Sequence, residues 1–301
     1  MGSEYRYTSI FDRRTSANCT APWIANAGFS MKEPDHTNNS AFEAADHASA
    51  RAALERDGFI IARKLCPTGT LQRMRACVER DLAAAVPPVE YEADVAYPGA
   101  PSARAMPGGR TVRRLREALG RDAVFADWAC SRALTGWIHA LLSTCDIRVV
   151  GAHHNCIMTK HPDYSSATGW HQDIRYWSFD RPELVNAWTA LDTETRDNGG
   201  MRLIPASHRA VFDTRAFDSQ QFFRSEHPAN QAWIDSAVQA DLQPGDVLFF
   251  HAALLHAAGR NLTVRRKRAV VFSYRPESNR PWLGTRSAAV ADLNPAVRLC
   301  D

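Results

Sequence analysis

The sequence lacks the long apolar runs of membrane and secreted proteins. No stretch of its 301 residues approaches the roughly 18 apolar residues that span a bilayer. The first six residues have no apolar core of a signal peptide. Arg6 stands where an N-myristoylation motif requires Ser or Thr. We therefore expect a soluble, cytoplasmic protein with no membrane partner.

The chain also lacks a cysteine pattern and an excess of charge of one sign. Its seven cysteines are odd in number and contain no CxxC pair, so reduced thiols are the simplest interpretation. The 36 basic and 33 acidic residues leave a net charge of +3. The densest basic cluster, at 265–268, is too short to indicate a nucleic-acid partner. Nothing in the sequence indicates an oligomeric state.

Helix-type patterns fill the first half of the chain, after a polar and aperiodic arm at 1–45. Apolar periodicity predicts helices at 45–56 and 67–85, and Gly58 and a short buried strand at 59–62 lie between them. Five prolines and three glycines at 86–109 predict a structureless loop, either a functional lid or a disordered segment. A further helical stretch, interrupted near Gly120, is expected at about 111–142.

Short strand-like runs dominate from Ile147 onward, and turn signals such as Asn198-Gly199-Gly200 separate them. We expect strands at 147–160, 184–191, 201–204, 247–250 and 268–274. Because the helices precede the strands without regular alternation, a doubly wound parallel sheet is disfavoured. The predicted fold is mainly β, a sandwich or jelly-roll barrel with flanking α-helices. The expected division is the arm, one domain at 46–285 with helical additions at 46–145, and a tail at 286–301.

The motif with the clearest chemistry is Gly169-Trp170-His171-Gln172-Asp173. Residues two apart in an extended segment point to the same face, so His171 and Asp173 can reach one metal ion. A site of two histidines and one carboxylate needs a second histidine and leaves positions on the metal open. Either His251 or His256 can supply it. His256 is the better candidate because it ends an apolar run just before a glycine turn.

Four segments around these residues resemble the phytanoyl-CoA dioxygenase family: 171–179, 185–191, 198–208 and 250–261. The resemblance covers roughly residues 45–280. It implies a double-stranded β-helix with a cupin-like core, and a non-haem Fe(II) oxygenase that uses 2-oxoglutarate and O2 and releases succinate and CO2. On this resemblance, His171, Asp173 and His256 are the metal ligands and the catalytic residues.

The same resemblance implies a set of residues around 2-oxoglutarate. The family places an arginine about eleven residues beyond the last histidine to bind the far carboxylate, and Lys267 stands at that offset. We predict Lys267 as this clamp, with Arg268 as the substitute. Gln172, Trp188 and Cys156 match positions that line the cosubstrate pocket. Ala258 departs from relatives that have a serine there, which leaves binding more dependent on the basic residue.

The sequence therefore predicts an Fe(II)- and 2-oxoglutarate-dependent dioxygenase that hydroxylates an unactivated carbon of a small molecule. Acyl, amino-acid-derived and natural-product substrates all stay open, as do desaturation, epoxidation and cyclisation. The alternative is a hydrolase or binding module in which the same triad holds zinc or another divalent ion without redox chemistry. Only the oxygenase needs a cationic clamp at 266–268, so that cluster distinguishes the two.

Overall fold

The structure is a computed structural model that describes Glu43 and residues 46–298. The described part contains helices α1 (His47–Asp57), α2 (Thr68–Ala83), α3 (Ala118–Arg121), α4 (Ala123–Cys130), α5 (Arg132–Leu142), α6 (Pro228–Asp235) and α7 (Pro295–Arg298). Its strands are β1 (Phe59–Ala62), β2 (Val89–Tyr91), β3 (Val112–Arg116), β4 (Ile147–Val149), β5 (Cys156–Lys160), β6 (Thr168–His171), β7 (Val185–Ala190), β8 (Met201–Leu203), β9 (Val238–Gln239), β10 (Val247–His251), β11 (His256–Ala258) and β12 (Lys267–Pro276). The predicted arm at 1–45 lies outside the described residues, apart from Glu43.

Local signals explain the first elements. Asp46 caps α1 by accepting a hydrogen bond from the Ser49 backbone N–H, and Gly58 ends the helix with a φ of +85°. The predicted helices at 45–56 and 67–85 and the strand at 59–62 are confirmed within a few residues by α1, α2 and β1. The chain therefore enters the sheet directly after its first helix.

Two predictions between 86 and 142 are wrong in part. Val112–Arg116 forms strand β3 instead of the start of a helix, because it pairs with β2 on one side and β5 on the other. The segment at 86–109 is not wholly structureless, since Val89–Tyr91 forms β2. The helical prediction holds from Ala118 to Leu142, where α3, α4 and α5 follow one another. Tertiary pairing overrides the local helix pattern in β3.

The strands form two antiparallel sheets. The larger has the order β1-β10-β7-β12-β5-β3-β2, with β4 also paired to β12. The smaller has the order β6-β11-β8-β9. The strands predicted after Ile147 are present within a few residues, except that the run at 147–160 is divided into β4 and β5. In the same part of the chain, β6, β9 and β11 are three strands that the sequence did not predict.

Alternation along the strands divides the core into two layers. In β7, Val185 and Ala187 pack with the helices, whereas Trp188 and Ala190 pack between the two sheets. Strand β12 does the same, with Val270 and Phe272 toward the helices and Val271 toward the smaller sheet. We call the face of the larger sheet that meets the smaller sheet the inner face. Polar residues on it are the candidates for function.

Residues 286–298, predicted as a tail, pack against the larger sheet. Leu293 bridges to Val149, the last residue of β4, and Asp292 pairs with Arg275 of β12 over 2.6 Å. Within 46–298, no helix combines the length and the apolar character needed to cross a membrane.

Candidate metal centre

The predicted metal ligands come from neighbouring strands of the smaller sheet. His171 is the last residue of β6, and His256 is the first residue of β11 and its direct register partner. Asp173 starts the 3-10 turn Asp173–Tyr176, directly after β6. One potential ligand atom from each of the three residues lies within 4.8 Å of the other two. The structure therefore brings together the triad that the sequence predicted.

Each histidine is fixed by its own backbone neighbourhood. Nδ1 of His171 lies 2.9 Å from the Gly169 carbonyl oxygen, and Nδ1 of His256 lies 3.0 Å from the Leu254 carbonyl oxygen. These contacts assign the ring protons to Nδ1 and leave both Nε2 atoms as free electron-pair donors. The Nε2 atoms lie 3.7 Å and 3.8 Å from Oδ1 of Asp173.

The electrostatics favour neutral imidazoles beside an ionised carboxylate. Burial, together with the neighbouring His256, lowers the pKa of His171 to about 3, and burial likewise lowers the pKa of His256. Burial alone raises the pKa of Asp173, but the surrounding histidines, His154 above all, outweigh it and hold that pKa below its usual value. Neutral imidazole and ionised carboxylate are the forms that bind a metal ion.

The second oxygen of Asp173 is held by the larger sheet. Asn186, on the inner face of β7, donates from Nδ2 to Oδ2 over 2.8 Å, and Ser273 of β12 donates to Oδ1 of Asn186. Nε2 of His154 lies 2.9 Å from the same Oδ2. Burial lowers the pKa of His154, but Asp173 more than offsets this and raises it to about 9. Only Oδ1 is therefore left to face the two histidines.

This donor set fits one divalent transition metal. Two imidazole nitrogens and one carboxylate oxygen lie within 4.8 Å of one another, and each of the three residues is held by a partner outside the triad. Two histidines and a carboxylate with open positions opposite are typical of non-haem Fe(II) sites. When iron is bound there, it supplies the redox chemistry, and the chain supplies the orientation of the ligands.

Of the two predicted clamp residues, only Lys267 points inward. It is 2% exposed, begins β12 on the inner face, and its Nζ donates to Oε2 of Glu194 over 2.9 Å. Arg268 lies on the other face of the strand, where it bonds Asp192 and Glu79. The prediction of Arg268 as a substitute clamp is therefore corrected, because successive side chains of a strand point to opposite faces.

The other predicted pocket residues have separate positions. Trp188 lies on the inner face of β7, where Nζ of Lys267 is 5.2 Å from its ring centroid. Cys156 is buried on the inner face of β5, and it interacts with His154. Gln172 donates from Nε2 to the Ala253 carbonyl oxygen and so fixes the turn before β11. Gln172 thus contacts the backbone near His256, whereas Trp188 contacts the clamp.

His251, the alternative ligand, lies apart from the triad. Its ring is 5.3 Å from that of His208, at the wall of a cavity of about 750 Å³ whose lining includes none of the three ligands. Its Nδ1 accepts the backbone N–H of Ala253. The alternation of strand β10 explains the separation, because His251 and the inner-face Phe250 point in opposite directions.

Two loops form an aromatic wall beside the metal centre. The Phe222 ring lies 6.0 Å from that of His171, and Tyr97 from the Pro/Gly-rich segment packs edge-on against Phe222 at 5.4 Å. The Phe222 loop is tied to the turn that carries Asp173, since Tyr176 donates to the Gln220 carbonyl oxygen. Tyr97 therefore places part of the segment 86–109 against the aromatic wall beside His171.

Sequence reasoning missed four residues of this region. Asn186 lies within a segment of the resemblance that assigns it no role, and nothing in the sequence distinguishes His154 from the adjacent His153. Arg114, whose guanidinium interacts electrostatically with Asp173, lies on β3, a segment that the sequence predicts as helix. Glu194, the partner of Lys267, carried no signal because 73 positions separate the two.

Comparison with known proteins agrees with this site. The family model described as Phytanoyl-CoA dioxygenase (PhyH) matches residues 54–269. The peroxisomal phytanoyl-CoA dioxygenase of Rattus norvegicus is 26% identical over 234 residues, 74% of this chain and 67% of that protein. A probable phytanoyl-CoA dioxygenase of Caenorhabditis elegans is 29% identical over 135 residues, which are 41% of this chain. The match spans 42% of the Caenorhabditis elegans protein.

Solved structures share the fold at low identity. EctD from S. alaskensis with bound Fe has a TM-score of 0.65 and 22% identity, over 82% of this chain and 86% of that one. The epimerase SnoN, in complex with Fe3+, alpha ketoglutarate and nogalamycin RO, has a TM-score of 0.61 and 18% identity, over 78% of this chain and 84% of that one. These likenesses confirm the predicted jelly-roll core with flanking helices, and the family match confirms the predicted class of dioxygenase.

Proposed function

Since the chain belongs to the phytanoyl-CoA dioxygenase family, we propose that it hydroxylates an unactivated carbon of a small molecule. The reaction consumes 2-oxoglutarate and O2 and releases succinate and CO2, with one oxygen atom entering the product and one entering succinate. His171, Asp173 and His256 are the proposed ligands of Fe(II), and Lys267 is the proposed clamp for the far carboxylate of 2-oxoglutarate.

The observation that carries the proposal is the orientation of the three ligands. Both histidines are held through Nδ1, and the carboxylate is held through Oδ2, so that three donor atoms face one point. A carboxylate in this set favours oxygenation, because it occupies the position that a halide would need. The space on the far side of the donors is left for 2-oxoglutarate and O2.

The chain's own residues orient the reactants and exclude water. Trp188 and Lys267 form the buried end of the proposed cosubstrate pocket, where a far carboxylate meets a cation away from solvent. Tyr97 and Phe222 form the proposed substrate wall beside His171. An aromatic wall suits the apolar part of an acyl, amino-acid-derived or natural-product substrate.

The test is an anaerobic titration with Fe(II), followed by 2-oxoglutarate, that monitors the visible metal-to-ligand charge-transfer band. We expect a saturable band in the unmodified chain and no band in His171→Ala. Lys267→Ala should weaken 2-oxoglutarate binding by about 1.4 kcal/mol or more, which is tenfold in the dissociation constant. Arg268→Ala is the matched control, because it removes a neighbouring cation from the outer face of the same strand.

Two results would contradict the proposal. Iron binding without a band would exclude 2-oxoglutarate from the site and favour the non-redox metal hydrolase or binding module. Equal weakening by Lys267→Ala and Arg268→Ala would show that the effect is general loss of positive charge, and the clamp assignment would then be wrong.

A further inference from the structure

The proposed clamp is already neutralised by a carboxylate of the chain itself. Nζ of Lys267 and Oε2 of Glu194 are 2.9 Å apart, and their side chains are 2% and 0% exposed. Both residues lie where the far end of the cosubstrate is proposed to bind. Taking a second carboxylate into this space places two like charges against one lysine.

Glu194 is fixed in this position from two directions. Its other oxygen, Oε1, accepts a hydrogen bond from Nε1 of Trp188 over 2.7 Å. Its backbone is bonded to Leu242 in both directions, at 2.8 Å and 3.0 Å. Because the backbone is anchored on both sides, Glu194 can leave Lys267 only by rotating its side chain away from two buried hydrogen bonds.

A second lysine provides little compensation. Lys160 is the register partner of Lys267 on β5 and is 7% exposed, and its Nζ donates to the Ser166 carbonyl oxygen over 2.6 Å. Burial, together with repulsion from Arg113 and Lys267, holds the pKa of Lys160 well below its usual value. The buried end of the pocket therefore carries less positive charge than its lysines alone suggest.

We propose that Glu194 is a specificity-determining residue that competes with the far carboxylate of 2-oxoglutarate for Lys267. This inference rests on the proposed function and concerns the same pocket. Glu194 weakens binding of the dicarboxylate, and it lowers the preference of the site for a charged far end over an uncharged one.

The experiment measures the dissociation constant of 2-oxoglutarate by the charge-transfer band in the Fe(II)-loaded protein. In Glu194→Gln, which keeps the acceptor for Trp188, we expect the dissociation constant of 2-oxoglutarate to fall about tenfold. A neighbouring like charge shifts the pKa of a carboxyl group by about one unit, and one pKa unit is a factor of ten in an equilibrium constant. Asp192→Asn is the matched control, since it removes a carboxylate two residues away on the outer face, where Asp192 pairs with Arg268. It should leave the dissociation constant unchanged.

A measurement on the unmodified chain makes the test independent of how Glu194→Gln folds. We expect 2-oxoglutaramate, in which the far carboxylate is an amide, to bind within about tenfold of 2-oxoglutarate. If 2-oxoglutarate bound about a hundredfold or more tightly than 2-oxoglutaramate, the inference would be wrong, because Lys267 would then be free to pair with the far carboxylate of the ligand. In Glu194→Gln, the preference for the charged ligand should increase.

The remaining outcomes separate this inference from the proposed function. If the unmodified chain gives no band with 2-oxoglutarate, both are wrong. If the band forms but Glu194→Gln binds equally or more weakly, only the inference is wrong, and Glu194 holds the lysine in place.

Discussion

Asn186 donates from its side-chain amide to Oδ2 of Asp173 over 2.8 Å, which links the larger sheet to the smaller one at the metal centre. The bond determines which carboxylate oxygen faces the histidines. It is buried, and Ser273 orients the amide from the neighbouring strand. The metal centre is therefore built across both sheets, although all three ligands belong to one end of the smaller sheet.

Asn186→Ala should weaken metal binding without removing a ligand. Loss of such a partner commonly costs about 10–100-fold in affinity, and here it leaves Oδ2 of Asp173 to be held by His154 without Asn186. The measurement is anaerobic calorimetric titration with Fe(II). Asn230→Ala is the control, since Asn230 is also a buried asparagine but bonds backbone carbonyls beside α6. Equal affinities in the two variants would contradict the prediction.

The choice between the two candidate histidines can be tested with Co(II) as a spectroscopic probe. His256→Ala should lose the ligand-field bands of a 1:1 complex, because it removes one of three converging donors. His251→Ala should retain the bands and the stoichiometry, because its ring lies beside His208 instead. Loss of the bands in His251→Ala, with the fold intact by circular dichroism, would contradict this arrangement.

Gly58→Ala should destabilise the fold by about 2–4 kcal/mol, as expected of a strained, overpacked position. Gly58 has a φ of +85°, and an added Cβ would lie 2.4 Å from Nδ1 of His208 and 2.6 Å from Cδ1 of Leu254. Urea unfolding measures the loss. Gly120→Ala is the control, because nothing lies within 4 Å of its Cβ position in α3, and it should leave stability equal or slightly higher. Comparable losses in both variants would contradict the explanation.

The histidine pair outside the metal centre should make the fold sensitive to acid. Burial lowers the pKa of both His208 and His251 to about 4, and the neighbouring Arg209 and His208, respectively, add to the effect. The unfolded chain takes up these protons below a pH of about 6.5, whereas the folded chain does so only near pH 4. The free energy of unfolding should therefore fall as the pH decreases from about 6.5 to 4.

The check is urea unfolding at several pH values for the unmodified chain and His251→Asn. The variant cannot titrate at this position, so its stability should fall less steeply over that window. Exposed His47 provides the control, since His47→Asn also removes one histidine from the chain. A slope that is unchanged in His251→Asn would show that other groups determine the acid sensitivity.

The metal ligands were predictable because their chemistry is local. His171 and Asp173 are two residues apart, and the extended backbone of Gln172 between them places both side chains on the same face. His256 and Lys267 were identified as candidates from their positions in a recognisable family pattern, and Lys267 as the clamp stays a prediction. The longer strands after Ile147 were predictable for the same reason, since turn residues and β-type runs mark their limits, whereas the short strands β6, β9 and β11 were not.

The partners of those residues were not predictable, because each comes from a distant strand or loop. Glu194 meets Lys267 through the packing of the inner face, and Asn186 meets Asp173 across the two sheets. Strand β3 was missed because its arginine-rich sequence has a helix-like pattern, and only pairing with β2 and β5 makes it a strand. Ion pairs and edge pairing depend on three-dimensional register, which one sequence does not contain.

The inner-face side chains of strand β7 connect the candidate metal centre with the proposed cosubstrate pocket. Asn186 donates a hydrogen bond to the carboxylate of Asp173. Trp188, two residues later, donates one to the carboxylate of Glu194, which pairs with Lys267. Two residues of a strand span roughly 6.8 Å, and β7 is bonded on both sides by β10 and β12. Strand β7 thus fixes the distance between the two carboxylates. Differences in the size or shape of the bound substrate would therefore have to be accommodated by the surrounding loops.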